Sequence, residues 1–181
     1  MKLLRTLRLD PSDTFVFPRA AEPDEWAVTG SFLFWDVDPS RLEGRERAAF
    51  RAGFVGVESL GFCTLVAVTT ATEADRDLAV ASLGRHLLER FGAPSREAAE
   101  AAAAEEIAFA ASLCDHPVGT VIALHRAVEE GAVAERFRTL HRREGGAGGD
   151  RLHAHARAFE FVEVDEPEER VDLVNLMEER R

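Results

Sequence analysis

The feature that most constrains the fold of this chain is a nearly continuous apolar stretch followed by two capped helical segments. Residues 60–68 are almost all apolar, which is typical of a strand that is buried on both faces of a sheet. Residues 72–75 form a capping box that begins a helix, and the apolar stripe of this helix continues to Phe91. Ser95 caps a second, alanine-rich helix that is predicted to end near Leu113. A buried strand that leads into two helices predicts a sheet with helices packed against it.

Further strands are predicted on both sides of this unit. The clearest pattern is that of residues 25–36, because alternate residues share a face and the last third is apolar on both faces. The other predicted strands are residues 2–9, 14–17, 118–128 and 152–164. The first three strands along the chain are expected to form an antiparallel meander.

Three more helices complete the predicted order of elements. One begins at Ser40, another follows from the spacing of Val133, Phe137 and Leu140, and the last has Pro167 in its first turn. Consecutive strands followed by mixed elements favour an α+β fold over a doubly wound parallel sheet. We therefore predict one domain over residues 1–181, with a single mainly antiparallel or mixed sheet of about six strands and helices packed largely on one face.

The charge of the chain disfavours several classes of function. Its net charge of −11 disfavours nucleic acid and anionic membrane surfaces, because both are bound by clustered lysine and arginine. No apolar stretch is long enough to span a membrane, and the basic residues near Met1 rule out a secretion signal there. The only two cysteines, Cys63 and Cys114, are too few for a disulfide framework. These features predict a soluble, cytoplasmic protein.

The tripeptide Cys114-Asp115-His116 is the first candidate site. A thiolate and an imidazole this close together can bind a metal or form a nucleophile–base pair, but both uses need partners from elsewhere in the fold. The alternative is structural: Cys114 completes the apolar stripe of its helix, and His116 complements the negative end of that helix. No metal or other cofactor is predicted, since neither a Cys-x-x-Cys nor a His-Glu-x-x-His pattern occurs.

Two further residues are ligand-binding candidates with structural alternatives. His125 lies on a predicted strand, where it is either a hydrogen-bonded core residue or a base. Glu105 and Glu106 are neighbours on the alanine-rich helix and diverge by about 100°, so only one of them can face inward. With Cys114 and His116, the candidate ligand-binding residues are therefore His125 and Glu106.

A histidine set and a glycine-rich segment near the end of the chain complete the candidates. His153 and His155 share one face of a predicted strand, and a metal could bind them if His141 converged on the same place. Residues 145–149 are rich in glycine, but no phosphate-binding motif follows them, so a mobile connection is the better interpretation.

Several strings of the sequence resemble a small uncharacterised family of alphaproteobacterial proteins, a domain of unknown function. They are MKLLRTLRLDPSDTFVF, GFVGVESLG, EEIAFAASLCDHP, FRTLH and FVEVDEPEERVDLV, and the resemblance extends to about Leu176. It implies a bacterial cytosolic protein and suggests a link to the maturation of a redox enzyme. It implies no activity and no catalytic residues.

Two hypotheses of function follow. The first is a non-enzymatic accessory or protein-interaction domain that forms a homodimer or binds a protein partner, because Trp26, Phe32, Phe34 and Trp35 exceed what one sheet face can bury. The second is a small-molecule or metal-binding protein, or an enzyme, with its site near Cys114 and His116.

Overall fold

A single antiparallel sheet forms the framework of the molecule. In this computed structural model, residues 1–129, 132–142, 161–164 and 171–172 are described. The sheet order is β4-β3-β2-β1-β5-β6-β7-β8, and β9 also pairs with β7. The strands are β1 (Lys2–Leu7), β2 (Trp26–Val28), β3 (Phe54–Gly56), β4 (Phe62–Cys63), β5 (Leu65–Thr70), β6 (Val121–Glu129), β7 (Ala132–Arg142), β8 (Phe161–Val164) and β9 (Val171–Asp172). The predicted α+β class and single sheet are confirmed, with more strands than the six expected.

Four α-helices accompany the sheet in the described part of the chain. They are α1 (Asp13–Val16), α2 (Gly44–Ala52), α3 (Glu73–Arg90) and α4 (Arg96–Ser112), and short 3-10 helices cover Ser31–Phe34 and Pro39–Arg41. The capping box at Thr72 and Asp75 is present, and the Ser95 hydroxyl accepts from the amide of Ala98. Both long helices are therefore confirmed close to their predicted limits. None of these helices is long and apolar enough to cross a membrane.

The core lies between the sheet and the helix pair α3–α4. Consecutive residues Leu3 and Leu4 of β1 are both buried, so both faces of this central strand are covered. Helix α4 contacts β1 and β2, and α3 packs along α4 where Gly84 lies against the backbone of Glu100. Whether the helices lie largely on one face of the sheet stays a prediction.

The strand predicted over residues 25–36 ends at Val28 in the structure, so the prediction is wrong for the residues that follow. The chain leaves the sheet at Gly30, whose φ of 77° lies in the left-handed region, and then forms the 3-10 helix Ser31–Phe34. A side chain at Gly30 would also overlap Val55 of β3. Phe32, Leu33 and Phe34 of this segment are buried or half-buried without joining the sheet, while Trp35 is exposed.

Residues 60–68, expected as one buried strand, are divided between β4 at the edge of the sheet and β5 in its middle. Three other predicted elements are wrong. Residues 14–17, expected as a strand, lie mainly in α1, and the helix expected at Val133, Phe137 and Leu140 is β7. The terminal helix expected after Pro167 is contradicted by β9, at Val171–Asp172. The glycine-rich segment, His153 and His155 lie outside the described residues.

Candidate functional site

A buried ion pair joins the two longest strands of the sheet. Arg126 of β6 and Glu135 of β7 are directly opposed in the antiparallel register, so their side chains leave the same face. The Nε of Arg126 donates to Oε1 of Glu135 at 2.5 Å, and both side chains have 0% exposure. A fully buried guanidinium–carboxylate pair is stable only when its remaining polar atoms also find partners.

Arg126 finds most of its partners on the backbone. Its Nη1 donates to the carbonyl oxygens of Phe50 at 3.1 Å and Gly53 at 3.0 Å, and its Nη2 donates to the carbonyl of Thr29. The first two carbonyls lie at the C-terminal end of α2, where the helix dipole favours a cation. The guanidinium carbon also lies 5.7 Å from the ring centre of Phe34. One side chain therefore ties the sheet to α2 and to the segment that begins the 3-10 helix.

Glu106 of α4 is a second buried carboxylate, and its charge interacts with both members of this ion pair. Its Oε2 atom is buried and has no hydrogen-bond partner in the described structure, and the same is true of Oε2 of Glu135. Burial, together with the negative charge of Glu135, raises the pKa of Glu106 to about 7, although Arg126 opposes the shift. We call Arg126, Glu135 and Glu106 the ionic cluster. Of the candidates from the sequence, Glu106 is the residue that lies in it.

Two segments that contact Phe62 carry exposed apolar side chains. They are α1 and the segment after the 3-10 helix, where Phe15, Val16, Trp35 and Val37 have exposures of 68%, 42%, 76% and 37%. We call these four residues the aromatic surface. The two segments meet at Phe62, whose ring lies 5.9 Å from that of Phe17 and 6.1 Å from that of Phe34. Phe34, the ring nearest Arg126, directly precedes Trp35.

The sequence predicts that four aromatic residues are more than one sheet face can bury. Of these four, only Trp35 is strongly exposed. Phe32 is buried and meets Phe91 edge to face at 5.6 Å. Trp26 is half-buried beneath the guanidinium of Arg5, at 3.8 Å. Phe34 is half-buried against Phe50. Trp35 is the residue that remains in solvent.

Cys114 and His116 follow α4 at its C-terminal end. The Cys114 thiol is buried and donates to the carbonyl of Ala110 at 3.5 Å, and its burial raises its pKa to about 11. A thiol with such a pKa is protonated at neutral pH and is a weak nucleophile and metal ligand. The backbone carbonyl of His116 accepts from Lys2 Nζ at 2.6 Å.

His125 lies on the other face of β6 from Arg126. Neighbouring residues of a strand alternate in direction, and His125 is opposed to Arg136 across the register. Burial and the charges of Arg51, Arg138 and Arg136 lower its pKa, so the imidazole is neutral at physiological pH. His125 therefore does not join Glu106 in the ionic cluster.

The four candidate residues do not form a common site. Cys114 lies eight residues beyond Glu106, about 12 Å away at the rise of a helix. No group of three His, Cys, Asp or Glu side chains suited to a metal occurs among the described residues. A groove of about 520 Å³ lies along α3 and the start of α4, and neither Cys114 nor His116 lines it.

The sequence patterns do not identify two residues of the ionic cluster, Arg126 and Glu135, as candidate site residues. Arg126 interrupts an apolar strand, and Glu135 stands in a segment whose spacing predicts a helix. A hairpin centred between residues 130 and 131 would have placed the two side chains opposite each other, which is the one signal in the sequence that could have identified the pair.

Comparison with known proteins identifies a family but no function. A family model with the description "Family of unknown function (DUF6505)" matches residues 1–160, and the chain belongs to this family. No curated protein and no solved structure matches the chain.

Proposed function

We propose that this member of a family of unknown function is a non-enzymatic accessory protein that acts through protein–protein contacts. The observation that carries the proposal is the exposure of Trp35 and Phe15, which is 76% and 68%. Large aromatic side chains are enriched at protein interfaces, where a buried tryptophan often contributes much of the binding energy. Val16 and Val37, which lie in the same two segments, are also exposed, at 42% and 37%.

The occupant that we propose for the aromatic surface is a second copy of this chain. The chain as a whole has a net charge of −11, so two copies repel each other over most of their surfaces. The stretch of residues 36–51, which follows Trp35, is an exception, because its acidic and basic side chains balance. They are Asp36, Asp38, Glu43 and Glu46 against Arg41, Arg45, Arg47 and Arg51. A symmetric contact at this place brings two neutral regions together and can pair acidic with basic side chains across the axis.

Light scattering of the protein during size exclusion tests this proposal. We expect the wild type to show twice the chain mass of 19.9 kDa, and the double variant Trp35→Ser, Val37→Ser to show the mass of one chain. Both substitutions remove apolar area from an exposed position, so the fold is expected to survive; circular dichroism checks this.

Leu78→Ser is the matched control for that experiment. Leu78 is 69% exposed and lies on α3, away from the aromatic surface, so its loss should leave the dimer intact. A wild type with the mass of one chain at every concentration would contradict the proposal. Equal dissociation of the control and of the double variant would contradict the assigned surface.

A cytoplasmic location and a role in redox-enzyme maturation belong to the same proposal. The two cysteines are free and buried, which suits a reducing compartment. The link to redox enzymes is supported by the sequence resemblance alone. It makes redox enzymes the first class of larger partner to test for binding to the dimer.

The second hypothesis, a ligand-binding or enzymatic site near Cys114 and His116, has less support. The raised pKa and the burial of Cys114 make it a weak nucleophile and metal ligand. Glu106, which does have a pKa suited to acid–base chemistry, lies in the ionic cluster instead.

A further inference from the structure

Phe62 of β4 lies between the two segments that carry the aromatic surface. Its ring centre is 5.9 Å from that of Phe17, which directly follows Val16 at the end of α1. On the other side it is 6.1 Å from the ring centre of Phe34, which directly precedes Trp35. Both distances lie in the range at which aromatic rings attract each other. One side chain therefore contacts the neighbour of an exposed residue in each half of the aromatic surface.

The position of Phe62 is fixed by the framework of the molecule. Its amide donates to the carbonyl of Arg19 at 2.8 Å, and its carbonyl accepts from the amide of Ala21 at 2.9 Å. Its ring lies against the end of α2, where a Cβ atom on Gly53 would be 2.7 Å from Cδ1 of Phe62. The carbonyl of Gly53 accepts in turn from Arg126 at 3.0 Å. The backbone and the ring of Phe62 are therefore both held by the sheet and by α2.

The two segments depend on such contacts for their orientation. Helix α1 has four residues, and the 3-10 helix Ser31–Phe34 is as short, so neither is stable as an isolated helix. Besides its ring contact, α1 is attached through the buried carboxylate of Asp13, which accepts from the hydroxyl of Thr64 at 2.6 Å. Both contacts join α1 to residues 62–64.

We infer that Phe62 is the positioning residue of the aromatic surface: its ring holds α1 and residues 31–37 in one arrangement, so that the two segments order and loosen together. The use of this arrangement by a second copy of the chain rests on the proposed function, whereas the coupling of the two segments does not. A partner that binds both segments then meets a single preorganised surface, which lowers the entropic cost of binding. Loss of the ring should therefore weaken binding more than it weakens the fold.

The variant that tests the coupling is Phe62→Leu. Leucine keeps the position apolar but removes both ring–ring contacts. Each segment retains a second contact, which is the bond between Asp13 and Thr64 for α1. For residues 31–37 it is the edge-to-face contact of Phe34 with Phe50, at 5.3 Å. The fold is therefore expected to survive the substitution.

Hydrogen exchange of backbone amides, followed by NMR in dilute protein, measures the coupling. The reporters are the amide of Phe17, which donates to Asp13, and the amide of Val37, which donates to Phe34. In Phe62→Leu we expect both to exchange on the order of 10-fold faster, by similar factors. In Thr64→Val, which removes only the hydroxyl bonded to Asp13, only the amide of Phe17 should exchange faster.

Phe109→Leu is the matched control. Phe109 is half-buried like Phe62, and its ring lies 6.1 Å from that of Phe137, away from both segments. It should leave the two reporter amides unchanged. The inference would be overturned by faster exchange of one reporter alone in Phe62→Leu, by faster exchange of both in Thr64→Val, or by equal effects of Phe62→Leu and the control.

Light scattering of the same variants separates this inference from the proposed dimer. We expect the dissociation constant of the dimer to rise on the order of 10-fold more in Phe62→Leu than in Phe109→Leu. Urea unfolding shows whether the two variants lose similar stability, in which case the difference in binding comes from the surface and not from the fold. A wild type with the mass of one chain would contradict the dimer, whereas the exchange pattern in the single chain still decides the role of Phe62.

Discussion

At the scale of single residues, Arg126 and Glu135 are charged side chains at positions where strands of a sheet usually carry apolar ones. Their burial is compensated by the bond between them at 2.5 Å and by the backbone carbonyls that Arg126 reaches. A buried ion pair contributes little net stability compared with an apolar pair of the same volume, but breaking it by removing one partner is costly. The pair instead links distant parts of the chain, because the guanidinium of Arg126 binds the carbonyls of Phe50 and Gly53, which lie 76 and 73 residues away in the sequence.

Replacing Arg126 by methionine should therefore destabilise the protein strongly. We expect a loss of about 3–5 kcal/mol in the free energy of unfolding, because Glu135 is left buried without its cation. Urea denaturation of the variant and the wild type at the same pH measures the loss. The double variant Arg126→Met, Glu135→Leu should recover part of this loss, since it removes the stranded charge. A cost below about 1 kcal/mol for Arg126→Met would be incompatible with a buried pair.

At the scale of elements, the sequence predicts a segment well where its signals are local. Helices α3 and α4 are predicted almost to the residue because their N-caps, the apolar stripe of α3 and the alanine-rich composition of α4 are local features of the sequence. Strand β7 was not, because its inward face carries Glu135 and Thr139 around Phe137. Two polar residues at buried positions hide the alternation of a strand, and the remaining apolar residues then imitate helical spacing.

Gly30 explains why the strand predicted over residues 25–36 ends early. Its substitution tests how the segment that carries Trp35 is held against β3. Gly30→Ala should cost about 2 kcal/mol or more, from the left-handed φ and from overlap with Val55. Gly92→Ala is the matched control, since Gly92 has a φ of 70° and nothing within 4 Å of the position of a Cβ atom. It should cost only the backbone part, about 1 kcal/mol. Thermal unfolding of both variants measures the difference, and equal costs would show that Gly30 is not packed against β3.

At the scale of the whole molecule, the ionic cluster could not have been predicted from spacing along the chain. Its residues come from α4, β6 and β7: the sheet register pairs Arg126 with Glu135, and Glu106 comes from a helix that packs on the sheet. Glu106 was identified as one of two neighbouring carboxylates, but its partners depend on the hairpin that the sequence analysis missed. The aromatic surface was partly predictable, because an excess of aromatic residues near Trp35 is visible in the sequence while their individual burial is not.

The proposed dimer requires Trp35 to be part of a contact between two copies of the chain. Acrylamide quenching of Trp35 fluorescence, measured over a range of protein concentrations, tests this directly. The variant Trp26→Phe leaves Trp35 as the single tryptophan of the chain. We predict strong quenching in dilute protein, because Trp35 is 76% exposed, and a fall in quenching as the mass doubles. Quenching that stays constant while the mass doubles, or a mass that never doubles, would contradict the account.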